Sequence, residues 1–105
     1  MDLDKIADLT RFFKALSDET RLQLVILLTQ QAPDNAMCVS RLARELDTTV
    51  ANVSQHLRVL KSLDLIYGER RRYRIHYFLN SDRLNDYTAL TRELLGDQFL
   101  AEEIA

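Results

Sequence analysis

The chain has 105 residues, of which 47% are hydrophobic and 29% charged, and its two Gly and one Pro predict a single, mostly helical globular domain. Its one Cys excludes an internal disulfide and any zinc site built from several cysteines. No apolar run approaches the roughly 18 residues of a membrane span. The start MDLDKIADL is acidic and periodic, unlike a signal peptide, so we expect a cytoplasmic protein.

The net charge of −2 hides an uneven distribution of charged residues. Residues 41–74 hold eight basic and four acidic residues, whereas the rest of the chain holds six basic and twelve acidic ones. A positive field confined to one segment is typical of a module that faces nucleic-acid phosphates.

The N-terminal half predicts two long helices and a short one. Apolar residues recur at helical spacing over 3–16, and Ser17 is the expected cap of a second helix that continues to about Gln30. A loop at 31–36 precedes a short helix predicted over 39–46.

The segment 46–65 carries the strongest functional signal. Thr48 or Thr49 can cap a helix whose apolar positions follow three- and four-residue spacing, which predicts one buried and one presented side. The presented side carries amide, hydroxyl, imidazole and guanidinium groups, on Asn52, Ser54, Gln55, His56 and Arg58. A helix, a tight turn and a presented helix form the layout of a DNA-reading helix-turn-helix.

A basic hairpin and a last helix complete the chain. Residues 65–67 and 73–79 are rich in β-branched and aromatic side chains and are separated by GERRR, which predicts a two-stranded wing with a basic tip. Ser81 and Asp82 are the expected caps of a helix of about twenty residues over 81–101. We therefore predict a mostly α, winged helix-turn-helix domain over 1–105, with five helices and a β-hairpin.

The two terminal helices, 3–16 and 81–101, carry more apolar surface than so small a domain can cover. We therefore expect them to form the interface of a homodimer. The residues expected there are Ile6, Leu9 and Phe13 at one end and Leu84, Tyr87, Leu90 and Leu94 at the other.

Three segments resemble the ArsR/SmtB family of dimeric bacterial repressors. They are FKALSDETRLQLVILL at 13–28, VSRLARELDTTVANVSQHLRVLKSLDLI at 39–66 and RRRYRIHYFL at 70–79. The resemblance implies a homodimer that binds a palindromic operator in double-stranded DNA and leaves it when an inducer, often a metal or metalloid ion, binds. Asp47 stands where the family often has a helix-closing Gly, and 69–72 lack the Gly common near the wing tip, so a different hairpin turn is expected.

The expected DNA contacts lie on the presented helix and the wing. They are Thr49, Val50, Asn52, Ser54, Gln55, His56, Arg58, Lys61, Arg70, Arg71 and Arg72. Amides suit adenine and Val50 suits a thymine methyl, whereas the cations suit phosphates, with 70–72 placed to enter a minor groove. A solvated helix face and an exposed charge run without function are the plain alternatives.

Cys38 precedes the short helix where soft-metal-binding family members carry CVCD, but this chain reads CVSR. Three roles stay open for Cys38: a structural residue, a thiol redox sensor activated by the helix N-terminus and the neighbouring Arg41, or partial metal or metalloid ligation. His76 is expected to be structural or solvent-facing. The family's zinc-type site on the last helix is absent, because its positions hold Ser81, Arg83, Leu94 and Asp97. We expect no metal cofactor, and the inducer stays unidentified.

These patterns favour a sequence-specific DNA-binding transcriptional regulator, a homodimeric repressor released by an inducer. The alternative is a winged-helix protein-interaction module without DNA binding, which would need a reading face without amides and hydroxyls and a neutral wing. An enzyme is not expected, because two separated histidines, one cysteine and no Gly-rich loop supply neither a nucleophile–base pair nor a cofactor site.

Overall fold

The computed structural model describes residues 1–96, which form five α-helices and one antiparallel sheet. The helices are α1 (Leu3–Leu16), α2 (Glu19–Gln30), α3 (Val39–Glu45), α4 (Val50–Ser62) and α5 (Ser81–Leu95), with a 3-10 turn at Pro33–Asn35. The strands are β1 (Met37–Cys38), β2 (Ile66–Arg71) and β3 (Arg74–Leu79). Within residues 1–96, no helix has both the length and the apolar character that crossing a bilayer requires.

The predicted position of α2 is confirmed, but its predicted cap is wrong. Asp18 caps α2, and its carboxylate accepts the N–H of Arg21 at 3.0 Å. Ser17 is still helical in backbone conformation and ends α1, where its hydroxyl donates to the Lys14 carbonyl at 2.8 Å. An extended backbone is what places a side chain over the first turn, so Asp18 takes that place.

The caps of α5 also differ from the prediction. Asn80, rather than Ser81 or Asp82, accepts the N–H of Arg83 at 3.2 Å, because both predicted residues already lie inside the helix. α5 ends at Leu95, and Gly96 follows with a φ of 86°. The end of the predicted helix, 97–101, lies outside the described residues.

The sheet has three strands, so the predicted two-stranded wing is incomplete. β1 pairs with β3, with Met37 opposite Tyr77 and Cys38 opposite His76, and the strand order is β1-β3-β2. The hairpin is also longer than predicted, because β2 continues through Arg71. The wing turn is Arg72–Tyr73, and Arg72 adopts a φ of 60° where a glycine is more usual.

The core lies between α4 and the helices and strands that surround it. Its most buried side chains, each at most 2% exposed, are Leu24, Leu42, Val53, Leu57, Leu60, Leu65 and Tyr87. Leu9 is also buried, at 5% exposure. The expectation that Leu9 and Tyr87 are left uncovered by the rest of their own chain is therefore wrong. The physical reason is that α1 and α5 pack on each other within one chain.

Tyr87 holds this packing together. Its ring stacks on Phe12 with centroids 4.3 Å apart, and the Arg83 guanidinium lies 4.3 Å from the ring centroid on the same helix. The Tyr87 hydroxyl accepts from Arg83 at 2.7 Å and donates to Asp8 at 3.3 Å. One side chain thus supplies both apolar and polar contacts between α1 and α5.

Removing only the Tyr87 hydroxyl should lower the free energy of unfolding by about 1 kcal/mol, because Arg83 and Asp8 each lose a partner. Tyr87→Ala should cost about 3–5 kcal/mol, because it also leaves a cavity against Phe12. Urea unfolding at one fixed protein concentration measures both losses. Tyr73→Phe is the control, since Tyr73 is 94% exposed. Equal losses for Tyr87→Phe and Tyr73→Phe would contradict the assigned network.

Candidate nucleic-acid interface

A tight turn after α3 presents α4 to solvent. Asp47 adopts a φ of 52°, a left-handed conformation that Asp tolerates better than most residues do. Thr49 caps α4, and its hydroxyl accepts the N–H of Asn52 at 3.1 Å. Val53 and Leu57 on one side of α4 are buried in the core, so the opposite side faces outward.

Five of the predicted contact residues on this unit have exposed side chains. They are Thr49, Val50, Gln55, Arg58 and Lys61. Val50 is 45% exposed although it is aliphatic, which places an apolar group at the start of the presented helix. These exposed side chains form a row that combines a methyl-bearing group, an amide and two cations. Proteins that recognise the major groove use this mixture of groups.

Asn52 and Ser54 are only partly exposed. The amide nitrogen of Asn52 donates to the Thr48 hydroxyl at 3.1 Å, so this side chain is oriented by its own turn. Ser54 lines a shallow cleft of about 240 Å³ together with Arg58, Lys61 and Tyr77. The reading helix and one face of the wing thus meet at this cleft.

His56 lies against α2 rather than in the exposed row. Its side chain is 16% exposed, and its Nδ1 lies 3.1 Å from the Arg21 guanidinium and 3.9 Å from Asp18. A guanidinium can only donate, so Nδ1 accepts in this contact and the neutral ring carries its proton on Nε2. Arg21 also donates to the Ala15 carbonyl at 2.7 Å. Sequence reasoning missed Arg21, because nothing local marks a partner 35 residues away.

The wing arginines fall on different faces of the sheet. Side chains alternate along a strand, and residues opposite each other share a face. Arg70 therefore shares a face with Ile75 and Tyr77, the face that meets α4 at the shallow cleft. Arg72 is exposed at the turn.

Arg71 points to the other face and contacts its own chain. Its guanidinium lies 4.8 Å from the Phe78 ring centroid and 3.7 Å from Glu69, and it donates to the Pro33 carbonyl at 3.3 Å. The three wing arginines therefore do not share one face, and DNA contact by Arg71 stays a prediction. The predicted tip GERRR did not reveal this, because the strand register decides which arginine faces which way.

Cys38 is the residue before α3, and its Sγ lies 3.6 Å from the Arg74 guanidinium. Burial raises the pKa of the Cys38 thiol, but hydrogen bonds from the Arg41 and Ser40 backbone N–H groups and from Arg74 outweigh it and leave the pKa below its ordinary value. The Arg41 side chain instead donates to Asn35 at 2.9 Å. Arg74, which sequence reasoning left without a role, is thus the cation at the thiol.

His76 lies opposite Cys38 on the same face of the sheet, and its Nδ1 is buried with no hydrogen-bond partner among residues 1–96. Within that range, no group of three or more His, Cys, Asp or Glu side chains is arranged to hold a metal ion.

Comparison with known proteins identifies relatives of this chain. The family described as "Bacterial regulatory protein, arsR family" matches residues 18–67. The cadmium resistance transcriptional regulatory protein CadC of Listeria innocua is 34% identical over 94 residues, which cover 90% of this chain and 72% of that protein. The arsenical resistance operon repressor of Escherichia coli is 34% identical over 70 residues, 67% of this chain and 57% of that protein.

Solved structures agree. An ArsR-like transcriptional regulator from Rhodococcus matches with a TM-score of 0.72 and 26% identity, covering 94% of this chain and 89% of that one. The homodimeric winged helix-turn-helix DNA-binding domain Mb0332 from Mycobacterium bovis matches with a TM-score of 0.65 and 26% identity, covering 91% and 82%. The chain therefore belongs to the arsR family of bacterial regulatory proteins, and we call its winged helix-turn-helix, made of α3, α4 and the β2–β3 wing, the DNA-binding unit.

Proposed function

We propose that this protein is a homodimeric repressor that binds a palindromic operator and leaves it when an inducer binds. The exposed row of Gln55, Arg58 and Lys61 on α4 carries the proposal, because it joins base-reading and phosphate-binding groups on one surface. The Escherichia coli relative is named a repressor, which supports the same direction of regulation. Such a protein would act in the cytoplasm, where bacterial DNA lies.

Gln55 and Val50 are the proposed base contacts, and Arg58 and Lys61 of α4 and Arg70 of the wing are the proposed phosphate contacts. A glutamine amide can bind adenine through two hydrogen bonds, and an aliphatic group can pack on a thymine methyl. A protein-interaction module without DNA binding would need a neutral reading surface, which the exposed cations of α4 do not provide.

A second copy of the chain is the proposed occupant of an apolar cleft between α1 and α5. The cleft has a volume of about 320 Å³ and is lined by Ile6, Phe13, Leu94 and Leu95, with Leu9 at its floor. Phe13 is 39% and Leu95 50% exposed, and covering such surface by a partner is favourable. The Mycobacterium bovis neighbour is described as homodimeric. A two-fold dimer would place two reading helices about 34–36 Å apart, on successive major grooves.

Cys38 is the proposed position for any sensing through thiol chemistry. The chain has one cysteine, so a dimer would carry two copies that cannot form a disulfide within either subunit. The Arg74 contact favours the thiolate, which is the reactive form. Cys38 also belongs to β1, which joins the wing to α3, so a modification there would lie beside the DNA-binding unit.

Gln55→Ala should cost about 1–3 kcal/mol of binding free energy on the preferred operator and relax base choice at one position per half-site. Arg58→Ala should instead weaken specific and random duplexes alike and reduce the salt slope of the dimer by about 2, because each subunit loses one phosphate contact. For the wild-type dimer, about six to eight neutralised phosphates imply a log–log salt slope of about −5 to −7. Fluorescence anisotropy on an operator selected from random duplexes measures all three quantities.

Arg71→Ala is the matched control for that experiment. It removes the same charge as Arg58→Ala, but from a guanidinium held by Glu69 and Phe78, so it should change DNA affinity less. A flat salt response, or losses for Gln55→Ala that are equal on operator and random DNA, would contradict the proposed reading surface.

Leu94→Asp should convert the dimer to a monomer and abolish operator binding, because it places a charge in the α1–α5 cleft while leaving α4 untouched. Sedimentation velocity at micromolar concentration measures the change in mass. Tyr73→Asp, at the exposed wing turn, should leave the dimer intact. A wild-type chain that sediments as a monomer would overturn the proposed interface.

The thiolate of Cys38 should form at a lower pH than that of a free cysteine peptide measured alongside, because its pKa is lowered. The rate of alkylation by iodoacetamide, followed from pH 5 to 10, should therefore reach half its plateau at lower pH in the protein. Arg74→Gln should move this midpoint upward, and Arg92→Gln on α5 should not. A wild-type midpoint at or above that of the peptide would contradict the assigned environment.

A further inference from the structure

A second basic surface lies beside Cys38, on the face of the sheet that points away from α4. It is a cleft of about 490 Å³ between α3, the Pro33–Asn35 turn and the outer face of β3. Five guanidinium groups line it, against a single carboxylate, that of Asp34. Its volume is within the usual range for pockets that bind small molecules.

The positive charge of this cleft is only partly balanced by the protein. Arg71 pairs with Glu69 at 3.7 Å, and Arg41 binds the neutral amide of Asn35. Among residues 1–96, no carboxylate oxygen lies within 4.0 Å of the guanidinium groups of Arg44, Arg72 or Arg74. Guanidinium groups without a carboxylate partner in the protein are the preferred binding groups for carboxylates and phosphates of a ligand.

A buried nitrogen in the cleft wall is a second, independent observation. His76 lines the cleft, and its Nδ1 is buried without a hydrogen-bond partner among the described residues. Most buried polar atoms in native proteins have a partner, so this wall of the cleft is not saturated with hydrogen bonds. The cleft thus combines cations, an unsatisfied imidazole nitrogen and the Cys38 thiol.

The strand register separates this cleft from the DNA surface. Arg71, Arg74 and His76 share one face of the sheet, with Cys38 beside them on β1. Arg70 and Tyr77 lie on the opposite face, where Tyr77 meets α4. A duplex lying along α4 and Arg70 therefore approaches the other side of the sheet, although Cys38 and Arg74 at the sheet edge also line a smaller cleft beside Arg70 and Tyr77.

We propose that this cleft binds a small organic anion that carries carboxylate or phosphate groups. Arg44, Arg72 and Arg74 bind its oxyanion groups, and the anion lies beside the Cys38 sulfur. The binding does not depend on the proposed repressor function, because none of these groups belongs to the exposed row of α4.

Cys38 provides a built-in reporter for this site. The probes are two aromatic disulfides, the dianionic 5,5′-dithiobis(2-nitrobenzoate) and the neutral 4,4′-dithiodipyridine. In each reaction the Cys38 thiolate attacks one sulfur of the probe, a mixed disulfide forms, the probe disulfide breaks, and one aromatic thiolate leaves. No further oxidant is required. A change in the thiolate fraction alters both second-order rate constants by the same factor. The ratio of the two rate constants therefore reports only the preference of the site for an anionic probe.

The ratio of anionic to neutral rate constants should fall about tenfold in an Arg44→Gln/Arg72→Gln double variant, because two cations of the cleft are lost. Neither guanidinium touches the Cys38 sulfur, so the rate with the neutral probe should stay within about twofold and report intact folding. An Arg58→Gln/Lys61→Gln double variant removes the same charge from α4 and should change the ratio by less than about twofold.

Two results would overturn the proposal. One is an equal ratio in the wild type and the cleft double variant, or an equal fall in both double variants, because the preference would then not arise in the cleft. The other is that a duplex blocks Cys38 from the neutral probe while the cleft variant loses as much DNA affinity as the α4 variant. The cleft would then bind a DNA phosphate instead of a small anion.

Discussion

The burial of one side of α4 is the constraint on which the rest of the DNA-binding unit depends. Val53 and Leu57 are at most 2% exposed, and Gln55 lies two residues from each, about 200° around the helix axis. Core packing therefore decides which side chains α4 presents. Rotating the helix by one residue would bury an amide or a guanidinium in apolar surroundings, at a cost of several kcal/mol. The reading surface is in this sense a consequence of the core.

Two arginines connect α4 to the helices that form the proposed dimer interface. Arg21 links His56 in the middle of α4 to the Ala15 carbonyl at the end of α1. Arg83 donates to the Leu63 carbonyl just after α4 at 3.2 Å and to the Tyr87 hydroxyl on α5. A guanidinium offers several donors in a rigid plane, so each arginine can hold two elements at a defined separation. The orientation of the reading helix is thus tied to both terminal helices within one chain.

Features that depend on local periodicity could be predicted from the sequence. Features that depend on pairing between strands far apart in the sequence could not. The five helices and the exposed row of α4 follow from apolar spacing, which a sequence displays directly. β1 has two residues and therefore no period to detect, so the third strand was missed. The same strand decides that Arg74, rather than the Arg41 side chain, reaches Cys38. The orientation of Arg71 could not be predicted for the same reason, since strand register is a tertiary property.

β1 connects the wing sheet to α3, so the two faces of the wing can have different roles. Through Cys38 it is continuous with α3, and through pairing with β3 it is part of the wing sheet. A ligand in the arginine-lined cleft would therefore touch both elements while leaving Arg70 and α4 uncovered. Within the proposed repressor function, such a ligand would act on the angle between α3 and the wing instead of competing for phosphates. The change that the ligand makes in DNA affinity would then equal the ratio of the ligand's affinities for the DNA-bound and the DNA-free protein. Two separate sites on so small a domain can be coupled in this way.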